Sequence, residues 1–170
     1  MEKHKKSQDI KISDLLKEDA ICLDLKGDTK REVIYELVEL LKSAKLNNTK
    51  EFLKAIIERE NLGSTAIGNG IAIPHAKLKG LRRFILAFAR KNKGMDFGAL
   101  DGEKTYLFFI LASPKETSGG HLKILAELAR LTKDKLIVEL LKKAVSKGEI
   151  LRVLSSSLIN KKAVSAKGRV

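Results

Sequence analysis

A chain of 170 residues fits one domain, since single domains run to about 100–200 residues, and no second domain is required. Apolar residues make up 44% of it but aromatics only 5%, and Trp is absent, so the expected core is aliphatic, built from Leu, Ile, Val and Ala, which excludes disorder for the body of the chain. The formal net charge of +13 invites a nucleic-acid or membrane-surface reading, but its distribution opposes one. Part of the excess sits in basic tails expected at residues 1–9 and 158–170, flanking a domain expected at 10–157. Elsewhere lysines alternate with acids, as in Lys17-Glu18-Asp19 and Lys133-Asp134-Lys135, and no basic run is interleaved with aromatics that would stack bases.

The first nine residues lack the apolar stretch of a secretory signal, and no run approaches the roughly 18–20 apolar residues of a membrane span. A soluble, cytoplasmic protein without membrane insertion is the expectation. Cys22 is the single cysteine, so an internal disulfide is excluded; within Ala20-Ile21-Cys22-Leu23 it reads as a small buried hydrophobe on a strand.

In chain order, Ser13 is placed to cap a short helix containing Leu15 and Leu16, and a strand is expected from about Ala20 to Leu25. Gly27-Asp28 signals a turn, and Thr29 with Glu32 three residues on has the form of a capping box. The helix it opens carries Val33, Ile34, Leu37, Val38, Leu40 and Leu41 on one face. Asn47-Asn48 ends it, and Thr49 is placed to cap a second helix in which Phe52, Leu53, Ile56 and Ile57 recur at helical spacing. That helix delivers Arg59 and Glu60 at its last turn. A stretch without Asp, Glu, Lys or Arg follows from Asn61 to Ala76, although 32% of the chain is charged. Its Asn69-Gly70 pair tolerates the positive φ angles of a tight hairpin, after which Ile71-Ala72-Ile73 is expected to be extended. Nearly continuous apolar runs at 84–89 and 106–112 read as strands covered on both faces, joined by a loop over 94–102. Amphipathic helices are expected from His121, over 134–144 and over 147–155. The mixture implies an α/β fold, a sheet covered by helices on both faces.

Of the three histidines, His4 lies in a tail, whereas His75 follows Pro74 and His121 follows Gly119-Gly120. His75 shares the parity of Ile71 and Ile73, which suits a core histidine. Pro74 argues instead for a position just past a strand end, with one ring nitrogen exposed and the other pinned by the backbone. His121 opens a helix, where unpaired N–H groups and the helix dipole attract anions; an indifferent helix start is the competing reading. Arg59 equally suits a cation at a helix C-terminus.

Metal binding is disfavoured, because His75, His121 and Cys22 are far apart and there is no CxxC or HxxxH spacing. Ser64 lacks the second glycine of a GxSxG elbow, and no GxxxxGK[ST] sequence is present. What remains is a histidine nucleophile in an anion-binding setting. Imidazole, with an ordinary pKa of about 6.5, attacks phosphorus directly, and the roughly two negative charges it acquires call for Arg and histidine N–H donors.

Arg59-Glu60, Gly63-Ser64-Thr65, the segment from Ile67 to His75, Met95-Asp96-Phe97 and His121-Leu122 together resemble the type-2 enzyme IIA domain of the phosphoenolpyruvate-dependent sugar phosphotransferase system. This is the fructose and mannitol class, which includes nitrogen-regulatory IIA proteins. The resemblance implies a mixed sheet sandwiched between helices and a phosphotransferase that needs no cofactor or metal. His75 is then the phosphorylated nucleophile, His121 the second active-site histidine and Arg59 a phosphoryl ligand, while Thr65 and Asn69 bind the phosphoryl group or position the loop. It also implies the phosphocarrier HPr as donor, a cysteine of a IIB domain as acceptor and, through IIB, a membrane-associated IIC; the alternative role is regulatory. Docking a basic carrier surface on this positively charged chain is then expected to rest on apolar contacts and local acids such as Glu60, Asp96 or Asp101.

Overall fold

The computed structural model describes residues 10–117 and 119–156; the two expected tails, His4 and Ser118 lie outside the described residues. Two long strands, β5 (Ile85–Met95) and β6 (Thr105–Pro114), form the centre of a six-stranded sheet. They pair antiparallel, with Leu86 opposite Leu111 and Phe88 opposite Phe109. On the far side of β5 lies β1 (Ile21–Cys22), parallel to it. On the far side of β6 lie two short strands in succession, β3 (Ile71–Ala72) and β4 (His75–Leu78), both parallel to β6, and β2 (Ala66–Gly68) closes the edge as a hairpin with β3. The sheet is therefore mixed.

Helices cover both faces. On one face α2 (Lys30–Ser43) and α3 (Thr49–Asn61) pack together; Phe97, whose ring meets Phe108 edge-on at 5.2 Å, lies under Lys30 of α2. On the other face, which presents Ser113 and Arg90, lie α4 (Gly120–Leu131) and α5 (Lys135–Lys143). The short α1 (Ile12–Leu15) packs against α4, and residues 147–156 form a last helix. Because both faces are covered, residues 85–91 of β5 and 107–113 of β6 are all buried.

Several local signals act as the sequence suggests. The Thr29–Glu32 capping box is formed in full, and α2 buries Val33, Ile34, Leu37, Val38 and Leu41. Asp134 caps α5 through the N–H groups of Leu136 and Ile137. Asn69 and Gly70 adopt φ of 56° and 80°, closing the β2–β3 hairpin.

Other expectations are corrected. Ser13 lies inside α1, whose N-cap is Lys11, and Thr49 is the first residue of α3, whose N-cap Asn48 makes no side-chain cap bond. The strand expected over 20–25 is only two residues long, because 18–20 form a 3₁₀ turn and the chain bends at Leu23, although Leu25 N–H still reaches the carbonyl of Arg90. The strand expected to end at Ala89 runs on to Met95. Arg90 is buried within it because its guanidinium donates to the carbonyls of Leu141, Lys142 and Ala144, the unpaired C-terminal acceptors of α5, and to that of Leu23.

Pro74 lies between β3 and β4, as a strand break at proline predicts, but the pairing with β6 resumes directly after it. Ile71 faces Leu107 and His75 faces Leu111, so the register along β6 is the same before and after the proline. Proline removes one donor from the ladder while its carbonyl still accepts from Leu111 N–H at 3.0 Å. His75 thus opens β4 and is held by it.

Candidate active site

The alternation of β4 places His75 and Lys77 on the sheet face that Ser113 presents, since Lys77 is registered opposite Ser113. On that face α4 begins. Gly119 takes the left-handed conformation, φ 80°, as its N-cap, and His121 follows in the first turn, only 8% exposed. The rings of His75 and His121 face each other at 5.5 Å between centroids, tilted by 57°.

Each ring is held through Nδ1. His75 Nδ1–H donates to the carbonyl of Ile73 at 2.7 Å; a carbonyl only accepts, so in the neutral ring Nε2 carries the free lone pair. His121 Nδ1 lies 2.7 Å from Ser113 Oγ, which is wholly buried on β6. Burial pushes the pKa of His75 below the ordinary histidine value. The Arg59 charge adds to this, while the bond to Ile73 and the charge of Glu60 oppose it. His121 is pushed down to about 4, first by burial and then by the neighbouring His75 and Lys77. Its place at a helix N-terminus disfavours a cation as well. Both shifts favour the neutral imidazole.

Arg59, in the last turn of α3, directs its field at His75 while one guanidinium N–H holds the carbonyl of Gly63 at 3.0 Å. Its four other N–H donors make no hydrogen bond among the described residues. Glu60 behaves differently from its neighbour. It falls on the buried stripe of α3 after Phe52 and Ile56 and is 7% exposed. Its Oε1 accepts from Thr65 N–H at 2.8 Å and from the Lys30 ammonium at 2.8 Å, and its Oε2 accepts from Thr65 Oγ at 2.7 Å. Glu60 is therefore a loop anchor and is removed from the candidate docking acids. Thr65 spends its hydroxyl on that anchor, which fits loop positioning.

The structure brings His75, His121 and Arg59 together and leaves Asn69 apart. Tyr106 N–H bonds the carbonyl of Gly70 while Leu111 faces His75; five residues of strand at about 3.3 Å each put the hairpin tip roughly 17 Å from the histidine pair. There Asn69 N–H donates to Asp101 Oδ2 at 3.0 Å, and Glu103 N–H takes the other oxygen, so Asp101 is also committed to the backbone. A Cβ on Gly68 would lie 2.8 Å from Asp101 Oδ2, which explains a glycine at that position. The charge-free run is thus pinned at two interior points, Thr65 and Asn69, by carboxylates from outside it, Glu60 and Asp101. Sequence reasoning missed the anchoring role of Glu60 and missed Ser113 altogether. The spacing of Phe52, Ile56 and Glu60 signals the first, but no sequence signal marks the second. Among the described residues no group of three or more His, Cys, Asp or Glu side chains could hold a metal, and no helix is long and apolar enough to cross a membrane.

Residues 14–157 match the family described as the phosphoenolpyruvate-dependent sugar phosphotransferase system, EIIA 2. The chain is 35% identical over 144 residues to a nitrogen regulatory protein of Bradyrhizobium diazoefficiens, covering 85% of this chain and 94% of that one. It is 36% identical over 147 residues to a fructose-specific EIIABC component of Bacillus subtilis, covering 86% of this chain but only 23% of that longer protein. In structure it is similar to the nitrogen regulatory protein IIA-Ntr of Neisseria meningitidis, with a TM-score of 0.79 at 33% identity over 84% of this chain and 98% of the other. It is also similar to the IIA mannitol enzyme of Escherichia coli solved in complex with its phosphorylated IIB, with a TM-score of 0.70 at 25% identity over 84% and 99%. The chain belongs to the type-2 EIIA family of the phosphoenolpyruvate-dependent sugar phosphotransferase system.

Proposed function

We propose that this protein is a phosphoryl carrier that accepts a phosphoryl group from phospho-HPr on Nε2 of His75 and passes it to a cysteine of a IIB component serving sugar uptake. The observation that carries this reading is the hydrogen bond from His75 Nδ1–H to the Ile73 carbonyl, which leaves a half-buried, neutral Nε2 facing a second imidazole. In the first step the Nε2 lone pair attacks phosphorus; the Nε2–P bond forms as the donor's N–P bond breaks, and the donor imidazole keeps the electron pair. The phosphorylated ring is an imidazolium whose Nδ1–H bond to Ile73 strengthens. In the second step a IIB thiolate attacks phosphorus, the S–P bond forms and neutral His75 departs. Both steps ask of the protein mainly position and charge compensation, which Arg59 and His121 supply.

The test is labelling with phosphoenolpyruvate, enzyme I and HPr, which transfers an acid-labile phosphate to the wild type and none to His75→Ala. Labelling that survives His75→Ala overturns the assignment. A second reading, regulation of partner proteins by phosphorylation state, is supported by the near full-length match to nitrogen regulatory proteins. Transfer onward to a IIB cysteine favours transport. Phosphorylation without onward transfer, joined to partner binding that depends on it, favours regulation.

A further inference from the structure

Ser113 is a wholly buried polar residue hydrogen-bonded to the histidine pair, and the phosphotransfer chemistry leaves its role unassigned. Its hydroxyl carries one proton. Among the described residues the single hydrogen-bond partner of Oγ is His121 Nδ1, at 2.7 Å. A hydroxyl proton sealed from water without an acceptor is costly, so the hydroxyl donates and Nδ1 accepts. If Nδ1–H donated instead, Ser113 would keep a buried proton with nowhere to place it. An accepting Nδ1 obliges the neutral ring to hold its proton on Nε2, the nitrogen that no described side chain or carbonyl engages. Burial, with the neighbouring His75 and Lys77, also keeps His121 in the neutral form in which one ring nitrogen can accept.

We infer that Ser113 is a positioning residue that fixes His121 as the Nε2–H tautomer, so that His121 presents an N–H donor to the phosphoryl group while His75 presents a lone pair. The two rings are thereby set in opposite tautomers by two different buried partners, the Ile73 carbonyl and the Ser113 hydroxyl. With this arrangement one imidazole attacks and the other donates, and no proton has to move between them. The inference rests on the proposed phosphorylation of His75, but the tautomers can be read without it.

The experiment combines ¹⁵N NMR of histidine-labelled protein with single-turnover transfer from phospho-HPr for wild type, Ser113→Ala, His121→Ala and the double variant. Wild-type His121 should show a protonated Nε2 and an unprotonated Nδ1, with His75 reversed. Ser113→Ala should mix the tautomers of His121 while leaving those of His75 unchanged. It should slow transfer by about 5- to 20-fold in the wild-type background and less than 2-fold when His121 is already alanine, because both changes remove the same donor. An Nδ1–H tautomer at His121 in the wild type overturns the inference. So does an equal rate loss from Ser113→Ala in both backgrounds, which would mark a merely structural serine. Wild-type protein that takes no phosphate from phospho-HPr defeats the proposed function, while the NMR result still decides the tautomer.

Discussion

Replacing Glu60 tests whether the loop before His75 is held by a buried carboxylate. In Glu60→Ala the N–H and hydroxyl of Thr65, a residue 4% exposed, both lose their acceptor, while Lys30 retains the Phe97 carbonyl at 3.0 Å and access to water. Stranding buried donors costs about 1–3 kcal/mol each, and removing one partner of a buried ion pair costs about 3–5 kcal/mol, so a loss of about 3–5 kcal/mol is expected. For a domain of this size, about 2–4 °C per kcal/mol places the fall in Tm at roughly 10 °C. Glu60→Gln keeps an oxygen acceptor but not the charge and should lose about 1–2 kcal/mol. Urea unfolding with linear extrapolation measures both, and the transfer rate from phospho-HPr should fall in the same order, because Gly63, which Arg59 holds, lies in the anchored loop. A Glu60→Ala protein within 1 kcal/mol of wild type, with an unchanged m-value, would refute the anchor.

The hairpin tip should tolerate change without loss of transfer. Asn69→Gly should be neutral and Asn69→Ala should cost about 1 kcal/mol for its left-handed φ, each leaving the transfer rate within about 2-fold; a tenfold loss in both would place Asn69 at the phosphoryl group. Thr29→Ala removes the capping box of α2 and should cost about 1 kcal/mol in urea unfolding without altering transfer; no change in stability would contradict the cap. For pH, the folded His121 value of about 4 lies below the ordinary value of about 6.5, so the unfolded chain binds the proton first. Stability is then fully present above about pH 6.5 and is lost as pH falls through about 4, by as much as about 3 kcal/mol from this group. The groups facing it are His75, Lys77 and the Ser113 hydroxyl, and His75 shifts in the same direction. Urea unfolding between pH 7 and 5 should show a smaller loss in His121→Gln than in wild type; equal losses would contradict the buried neutral ring.

The features legible in the sequence are those carried by neighbouring residues. The Thr29–Glu32 box, the Asn69-Gly70 hairpin and the apolar cores of the two central strands need only local rules, and each stands where those rules put it, although β5 runs six residues past its expected end. Features that depend on distant partners were not legible. Arg90 lies just past the apolar run expected to end at Ala89, and only the carbonyls of α5, some fifty residues later, explain its burial within the strand. Pro74 reads as a terminator because the unbroken register of β6 on both of its sides is a tertiary fact. In the site, His75, His121 and Arg59 could be singled out by residue type and setting. Ser113 could not, because an ordinary strand serine becomes a histidine partner only once α4 lies across it.

The most direct test of the central claim is the site of the phosphorus–nitrogen bond. Two-dimensional ³¹P–¹⁵N correlation on histidine-labelled protein, phosphorylated through enzyme I and HPr, should show a one-bond coupling from phosphorus to Nε2 of His75, with Nδ1 still protonated and bonded to Ile73. Phosphorus bonded to Nδ1 of His75, or to His121, would contradict it.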